Sequence, residues 1–172
     1  LSKVLDKYEE NEVKINVAYL ETDPLEETLE GLRKRGIRTF MWTNSVLAPF
    51  GKSELTYKDY RVKKASNPNE VMNHFYIDLT DPASKDIIND KFAKPWDYGV
   101  CGEMVDFADS LPQDSICANG KTGLEMHNEY AYWFGRRMNE AFYERLGDDF
   151  MLFQRSGCAG SQHYTASFGG DS

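Results

Sequence analysis

The chain is poor in cysteine, in histidine and in basic charge, and each shortage removes a class of function. Three cysteines (Cys101, Cys117, Cys158) are an odd number without a Cys-x-x-Cys pair, and the three histidines stand at no ligand spacing. Neither a disulfide framework nor a zinc site is expected, and no cofactor is implied. Lysine and arginine total 20 against 28 acidic residues, a net charge of -8. That balance argues against nucleic-acid backbones and anionic membrane surfaces as partners, since both demand clustered cations. The one dense basic stretch, LRKRGIR, reads as a helix end, where cations offset the helix dipole. No apolar run approaches the ~20 residues of a membrane-spanning helix. Neither GxGxxG nor GxxxxGK follows any strand, which disfavours a nucleotide-binding sheet.

What is present is a globular chain of single-domain size, 172 residues that are 41% hydrophobic and 13% aromatic. LSKVLDKYEENE has helical spacing, and VKINVAYLE alternates as a strand over residues 13–20. Thr22-Asp23-Pro24 marks a helix start, and LEETLEGLRKRG carries Leu25, Leu29 and Leu32 on one face and stops at Gly36. IRTFMWT is the next strand, followed by a long irregular loop at about 44–74. FYIDL reads as a short strand, Thr80-Asp81-Pro82 as the cap of a helix to about Ala93, and DYGVCGEMVDF as another strand. TGLEMHNEYAYWFGRRMNEAFYERLG is one long amphipathic helix, and DFMLFQR and TASFGGD are strands.

This alternation implies an α/β fold of parallel strands with crossover helices, either an open doubly wound sheet or a (β/α)8 barrel. In a barrel, functional groups gather at strand carboxyl ends. Here those positions hold Glu21 and Asp23, Trp42 and Asn44, Asp106, Arg155 and Asp171. A full barrel needs ~250 residues. The chain opens without Met inside a helical pattern, LSKVLDKYEE, and closes on GGDS. Residues 1–172 therefore read as part of a single TIM-type (β/α)8 catalytic domain, cut at both ends. Such a piece is expected to need the remainder of the barrel, or another chain, for stability.

The stretch GEMVDFADSLPQD sharpens the functional question, because a buried strand here ends on a carboxylate rather than on Gly, Asn or Pro. Asp106 and Asp171, on different strands, suit paired-carboxylate chemistry at a sugar's anomeric carbon. One carboxylate attacks or stabilises positive charge, and the other donates a proton to the leaving oxygen. Arg155 at a neighbouring mouth position suits holding a carboxylate ionised or binding a hydroxyl. Trp42, Trp96, Tyr98 and Phe168 offer flat faces for a sugar ring. A strand-end Asp is also a common cap or turn former, so spacing alone leaves both readings open.

Four ordered blocks, VDFADSLPQD, NGKTGLEMHNEYAYWF, LFQRSGCAGSQHY and FGGDS, resemble the glycoside hydrolase family 31 enzymes, which include α-glucosidases, α-xylosidases and sulfoquinovosidases. That family's barrel carries a DFGE-x-x-P-type segment, a Met-His-Asn helix start, an Arg-Ser-Gly-type segment and a W-x-G-D. The resemblance is densest over Gly99 to Asp171 and extends through YIDLTDPAS and LRKRGIRTFMWTN. It implies a retaining α-glycosidase with Asp106 as nucleophile and Asp171 as general acid, then general base. Arg155 resembles the family's active-site arginine. Asp23 resembles a substrate-hydroxyl contact, with Glu21 as the alternative. The implied partner is an α-glycoside, and no metal is implied. Three features depart from the pattern: Ala108-Asp109 replaces Gly-Glu, Phe168 replaces Trp, and ETDPLEET is short where sulfoquinovosidases read the sulfonate.

Other residues have plainer expectations. His163, beside Gln162 near a mouth, is a candidate substrate contact, whereas His127 reads as packing or capping. Tyr130, Tyr132, Trp133 and Phe134 read as core. Cys158 has no basic partner to activate it. Two alternatives stand beside the glycosidase: a catalytically inactive carbohydrate- or protein-binding relative, and a metal-dependent (β/α) enzyme built on Asp106 and Asp109.

Overall fold

The computed structural model describes residues 1–21, 26–44, 60–72 and 76–170, the side chains of 91–94 apart. Asp23, Asp171, His74 and the expected cap at Thr22-Asp23-Pro24 lie outside these residues, as does most of the 44–74 loop.

The first helix, α1 (Ser2–Glu10), precedes β1 (Val17–Leu20). In α2 (Glu26–Lys34), Glu26 and Glu27 lie in the first turn and Arg33 and Lys34 in the last, each sign complementing the helix dipole. Gly36, at φ 71°, turns the chain into β2 (Arg38–Asn44). Then follow β3 (Lys63–Lys64), α3 (Ser84–Asp97), β4 (Val100–Asp106) and β5 (Ser115–Ile116). The last elements are α4 (Gly123–Met126), α5 (Glu129–Leu146), β6 (Met151–Gln154) and β7 (Ala166–Ser167).

Five strands form one sheet in the order β1-β2-β4-β6-β7, every pair parallel. All carboxyl ends therefore face the same way, and side-chain alternation divides each strand between two faces. Met41, Val105 and Leu152 face the helices and join the main core. From α5, Tyr130, Phe134, Met138 and Phe142 meet them at four-residue spacing, each at 0% exposure. Burying each such side chain contributes roughly 1.5–3 kcal/mol, more than any local propensity term. The other face carries Tyr19, Phe40, Met104 and Phe153, where Tyr19 pairs with Phe40 and Phe40 with Gly102. Glycine is required at 102 because a Cβ would lie 2.4 Å from the Met151 carbonyl oxygen and 2.9 Å from the Phe40 ring.

Four expectations need correction. Of FYIDL, residues 76–79 form no sheet strand: Ile77 makes an isolated antiparallel bridge to Arg61, and β2 pairs directly with β4. The helix after Thr80-Asp81-Pro82 starts at Ser84, because Asp81 Oδ1 accepts the Ala83 amide in a turn at 2.9 Å. It runs to Asp97 through Pro95, and Trp96, 3% exposed, anchors that extension. Trp96 stacks 4.1 Å from Phe142 and donates to Glu103 at 2.6 Å, so it is core and offers no sugar face. The long amphipathic helix is two helices, because the chain leaves α4 at His127 and restarts at Glu129.

Beyond the sheet, β3 and β5 pair antiparallel, tying the segment after β2 to the loop after β4. Asp78 strengthens this junction: it accepts the Thr80 amide and hydroxyl on Oδ1 and the Ala118 amide on Oδ2, at 2.7–3.1 Å. Burial, with Asp78 nearby, pushes the neighbouring Cys117 thiol up to about 12. At pH 8 it stays protonated, and the thiolate is the reactive form. Native protein treated with iodoacetamide at pH 8 is expected to label half-buried Cys158 first. Peptide mass spectrometry should find Cys117 modified only after urea unfolding. Equal labelling rates for the two in native protein would contradict this packing.

Candidate active site

Asp106 ends β4 and is 4% exposed, in register with Asn44 at the end of β2. A carboxylate this buried needs donors, and three segments supply them. Trp42 Nε1 donates to Oδ2 at 3.0 Å, and the Phe107 amide donates to Oδ1 at 2.9 Å. Arg155 Nε lies 3.3 Å from Oδ1. The same Nε lies 3.4 Å from Asp109 Oδ2, so one guanidinium serves two carboxylates.

Phe107 has φ 53°, the left-handed region that a bulky side chain occupies at a cost of about 1–2 kcal/mol. That conformation reverses the chain directly after Asp106. It sets the Phe107 ring edge-on to Trp42, 6.0 Å between centroids, and 4.6 Å beneath the Arg155 guanidinium. Strain of this kind persists where surrounding contacts over-determine it, and such places are enriched at functional sites.

In front of Asp106 lies an open cleft of about 500 Å³. Strand β1 and its end contribute Tyr19 and Glu21, β2 contributes Trp42, β4 contributes Met104, and β6 contributes Phe153. The Tyr19 hydroxyl donates to Met104 Sδ at 3.0 Å, fixing the floor. Phe168 stacks edge-on against Phe153 at 5.7 Å and so extends the apolar wall. A Cβ on Gly170 would stand 3.8 Å from Arg155 Cδ, which brings the residue before Asp171 beside the arginine. Among the described residues no group of three or more His, Cys, Asp or Glu could hold a metal ion.

Of the residues singled out from sequence, Trp42, Asp106 and Arg155 converge, with Phe168 behind the wall. His163 stands apart: it is exposed and lines a separate groove of about 590 Å³ with Asn139, Tyr143 and Tyr164. Sequence reading missed Met104, Phe153, Tyr19 and Phe107. The first three carried a usable signal, since each lies two residues before a strand-end candidate (Asp106, Arg155 and Glu21) and so points to the same face.

A parallel sheet whose carboxyl-end residues gather around a buried carboxylate is the arrangement that the mouth of a (β/α)8 barrel presents. The chain belongs to the glycosyl hydrolases of family 31, because the model of that family's TIM-barrel domain matches residues 2–172. It is 32% identical over 130 residues to a sulfoquinovosidase of Escherichia coli K12, covering 69% of this chain and 19% of that protein. It is 25% identical over 143 residues to an alpha-xylosidase of Lactiplantibacillus pentosus, covering 78% and 19%. The chain thus spans about a fifth of the length of these relatives. Among solved structures, a family 31 sulfoquinovosidase from E. rectale in complex with an aza-sugar inhibitor matches with TM-score 0.81 and 23% identity, covering 98% of this chain and 31% of that one. A Flavobacterium johnsoniae family 31 dextranase complexed with glucose matches with TM-score 0.85 and 18% identity, covering 99% and 25%. At those identities the two structures speak to the fold.

Proposed function

We propose that the protein containing this chain is a retaining α-glycosidase acting on terminal α-linked sugars. The observation that carries this reading is the Asp106 carboxylate, buried at a strand end, oriented by Trp42, Phe107 and Arg155, and facing an open cleft. In the first step Asp106 bonds to the anomeric carbon as the glycosidic C–O bond breaks and Asp171 protonates the leaving oxygen. In the second, Asp171 takes a proton from water, the water oxygen bonds to the anomeric carbon, and Asp106 is released. The two carboxylates are expected ~5–5.5 Å apart, the spacing of retaining enzymes. Trp42 presents a flat face to the sugar, Phe168 backs the opposite wall through Phe153, and Asp23, or Glu21, binds a hydroxyl. His163 is proposed as an outer contact only for substrates long enough to reach its groove.

The concave sheet face supports completion of the barrel by further strands: Val17, Tyr19 and Met151 are 47%, 40% and 48% exposed there. Such apolar surface on a sheet face calls for cover.

The test is hydrolysis of aryl α-glucoside, α-xyloside and α-sulfoquinovoside by the full-length protein, with proton NMR of the first-formed anomer. Turnover giving the α-anomer first is the expected result. Release of the β-anomer would overturn the retaining mechanism. A folded protein that hydrolyses none of them would be a binding protein built on the same barrel.

A further inference from the structure

The two oxygens of Asp106 have different neighbours. Oδ1 meets two donors, the Phe107 amide at 2.9 Å and Arg155 Nε at 3.3 Å. Oδ2 accepts the indole Nε1–H of Trp42 at 3.0 Å. A carboxylate oxygen offers about two lone-pair sites, so Oδ1 is filled and Oδ2 keeps one free. Trp42 and Asp106 both line the cleft. The indole comes from β2, where Trp42 stands opposite Met104, and the Phe107 ring meets it edge-on. Oδ2 is therefore the oxygen with an electron pair available to an anomeric carbon, and Trp42 is bonded to that same atom.

We infer that Trp42 is a positioning residue that acts through Asp106 Oδ2 and favours the second step of the reaction, release of the sugar from the enzyme, over the first. This rests on the glycosidase reading above. In the first step Oδ2 shares its free pair with the anomeric carbon as the bond to the leaving oxygen breaks, and the proton of Asp171 goes to that oxygen. Charge drains from the carboxylate, so a donor on Oδ2 holds the free enzyme more tightly than the transition state. In the second step a water oxygen bonds to the same carbon, its proton goes to Asp171, and the electron pair of the ester C–O bond returns to Oδ2. Charge now builds on the atom that the indole faces, and the donor stabilises that transition state relative to the neutral ester. Asp106 is buried, where such a bond counts for more than in water. One hydrogen bond thus slows formation of the glycosyl ester and speeds its hydrolysis, which keeps the enzyme from stalling on its intermediate.

The experiment follows full-length wild type, Trp42→Phe and Trp42→Leu through the pre-steady state on the aryl α-glycoside that the wild type turns over, with circular dichroism to verify folding. Both variants lose the N–H and keep apolar bulk. Release of the aryl alcohol, with rapid acid quench and mass spectrometry of the Asp106 peptide, gives the glycosylation and deglycosylation rates separately. A charge-assisted hydrogen bond divided about equally between the two steps predicts deglycosylation about three- to tenfold slower and glycosylation no slower. The ratio of glycosylation to deglycosylation rate should rise at least about tenfold in each variant. The value of kcat/KM, which covers steps through glycosylation only, should fall by no more than about threefold. A merely structural fault lowers both rates and leaves their ratio as in wild type. That result, or two variants that fail to fold, overturns the proposal and leaves the glycosidase reading standing. A folded wild type that turns over none of aryl α-glucoside, α-xyloside and α-sulfoquinovoside overturns both.

Discussion

Replacing Asp106 by Asn in the full-length protein is expected to lower kcat by at least about a thousandfold, roughly 4 kcal/mol of transition-state stabilisation. A carboxamide has the shape of the carboxylate but does not form the glycosyl ester, so the loss falls on kcat rather than on KM. The substitution also has a structural cost. Trp42 Nε1 points at one oxygen and the Phe107 amide with Arg155 at the other, so all three neighbours are donors. Either orientation of the Asn side chain brings its NH2 against a donor, and about 1–3 kcal/mol of stability should be lost. Steady-state kinetics at a temperature well below the variant's melting point separate the two effects. Azide added to Asp106→Gly should restore turnover and give a glycosyl azide of inverted configuration. A kcat reduced less than tenfold in folded Asp106→Asn would assign the carboxylate to positioning instead.

How far the sequence disclosed this site depended on which physical rule governs each residue. Asp106 and Arg155 were legible because strand ends are where a barrel places its chemistry, and period-2 alternation fixes their direction. Trp42 was legible for the same reason, although its bond to Asp106 was not: register between β2 and β4 decides it, and no local pattern encodes register. Phe107 gave no signal, since an aromatic at φ 53° contradicts its own propensity and is imposed by Trp42 and Arg155. Trp96 misled in the other direction. It sits next to a proline, where helices usually end, yet its burial against Phe142 and Glu103 carries α3 onward to Asp97. FYIDL has strand composition but finds its partner in Arg61, a residue of the segment after β2, rather than in the sheet. In each case tertiary contact overruled a correct local preference.

The loop after Asp106 is held from outside the sheet, and the tightest point of that hold is Gly123. Tyr76 and Ser110 hydroxyls meet at 2.8 Å, and Asp114 accepts the Ser66 amide and hydroxyl at 3.1 and 2.9 Å. The loop then enters α4 through a capping box between Thr122 and Glu125. At Gly123 a Cβ would lie 1.9 Å from the Pro112 carbonyl oxygen and 2.5 Å from Ser115 Oγ. The first obstacle is backbone, so no side-chain rotation relieves it; either α4 or residues 107–115 must move. Gly123→Ala should therefore cost about 2–4 kcal/mol, at the upper end of overpacking penalties. Because the displaced loop carries Phe107 and Asp109, it should also lower kcat/KM at temperatures where the variant remains folded. Gly31, inside α2 with nothing within 4 Å of a built Cβ, provides the control. Gly31→Ala should stabilise by about 0.5–1 kcal/mol, since alanine loses less entropy in a helix and meets no neighbour. Urea unfolding of the two variants beside wild type measures the contrast directly. If Gly123→Ala matched wild type in both midpoint and kcat/KM, the loop would be shown to yield without cost, and its close approach to α4 would hold neither the fold nor Asp106.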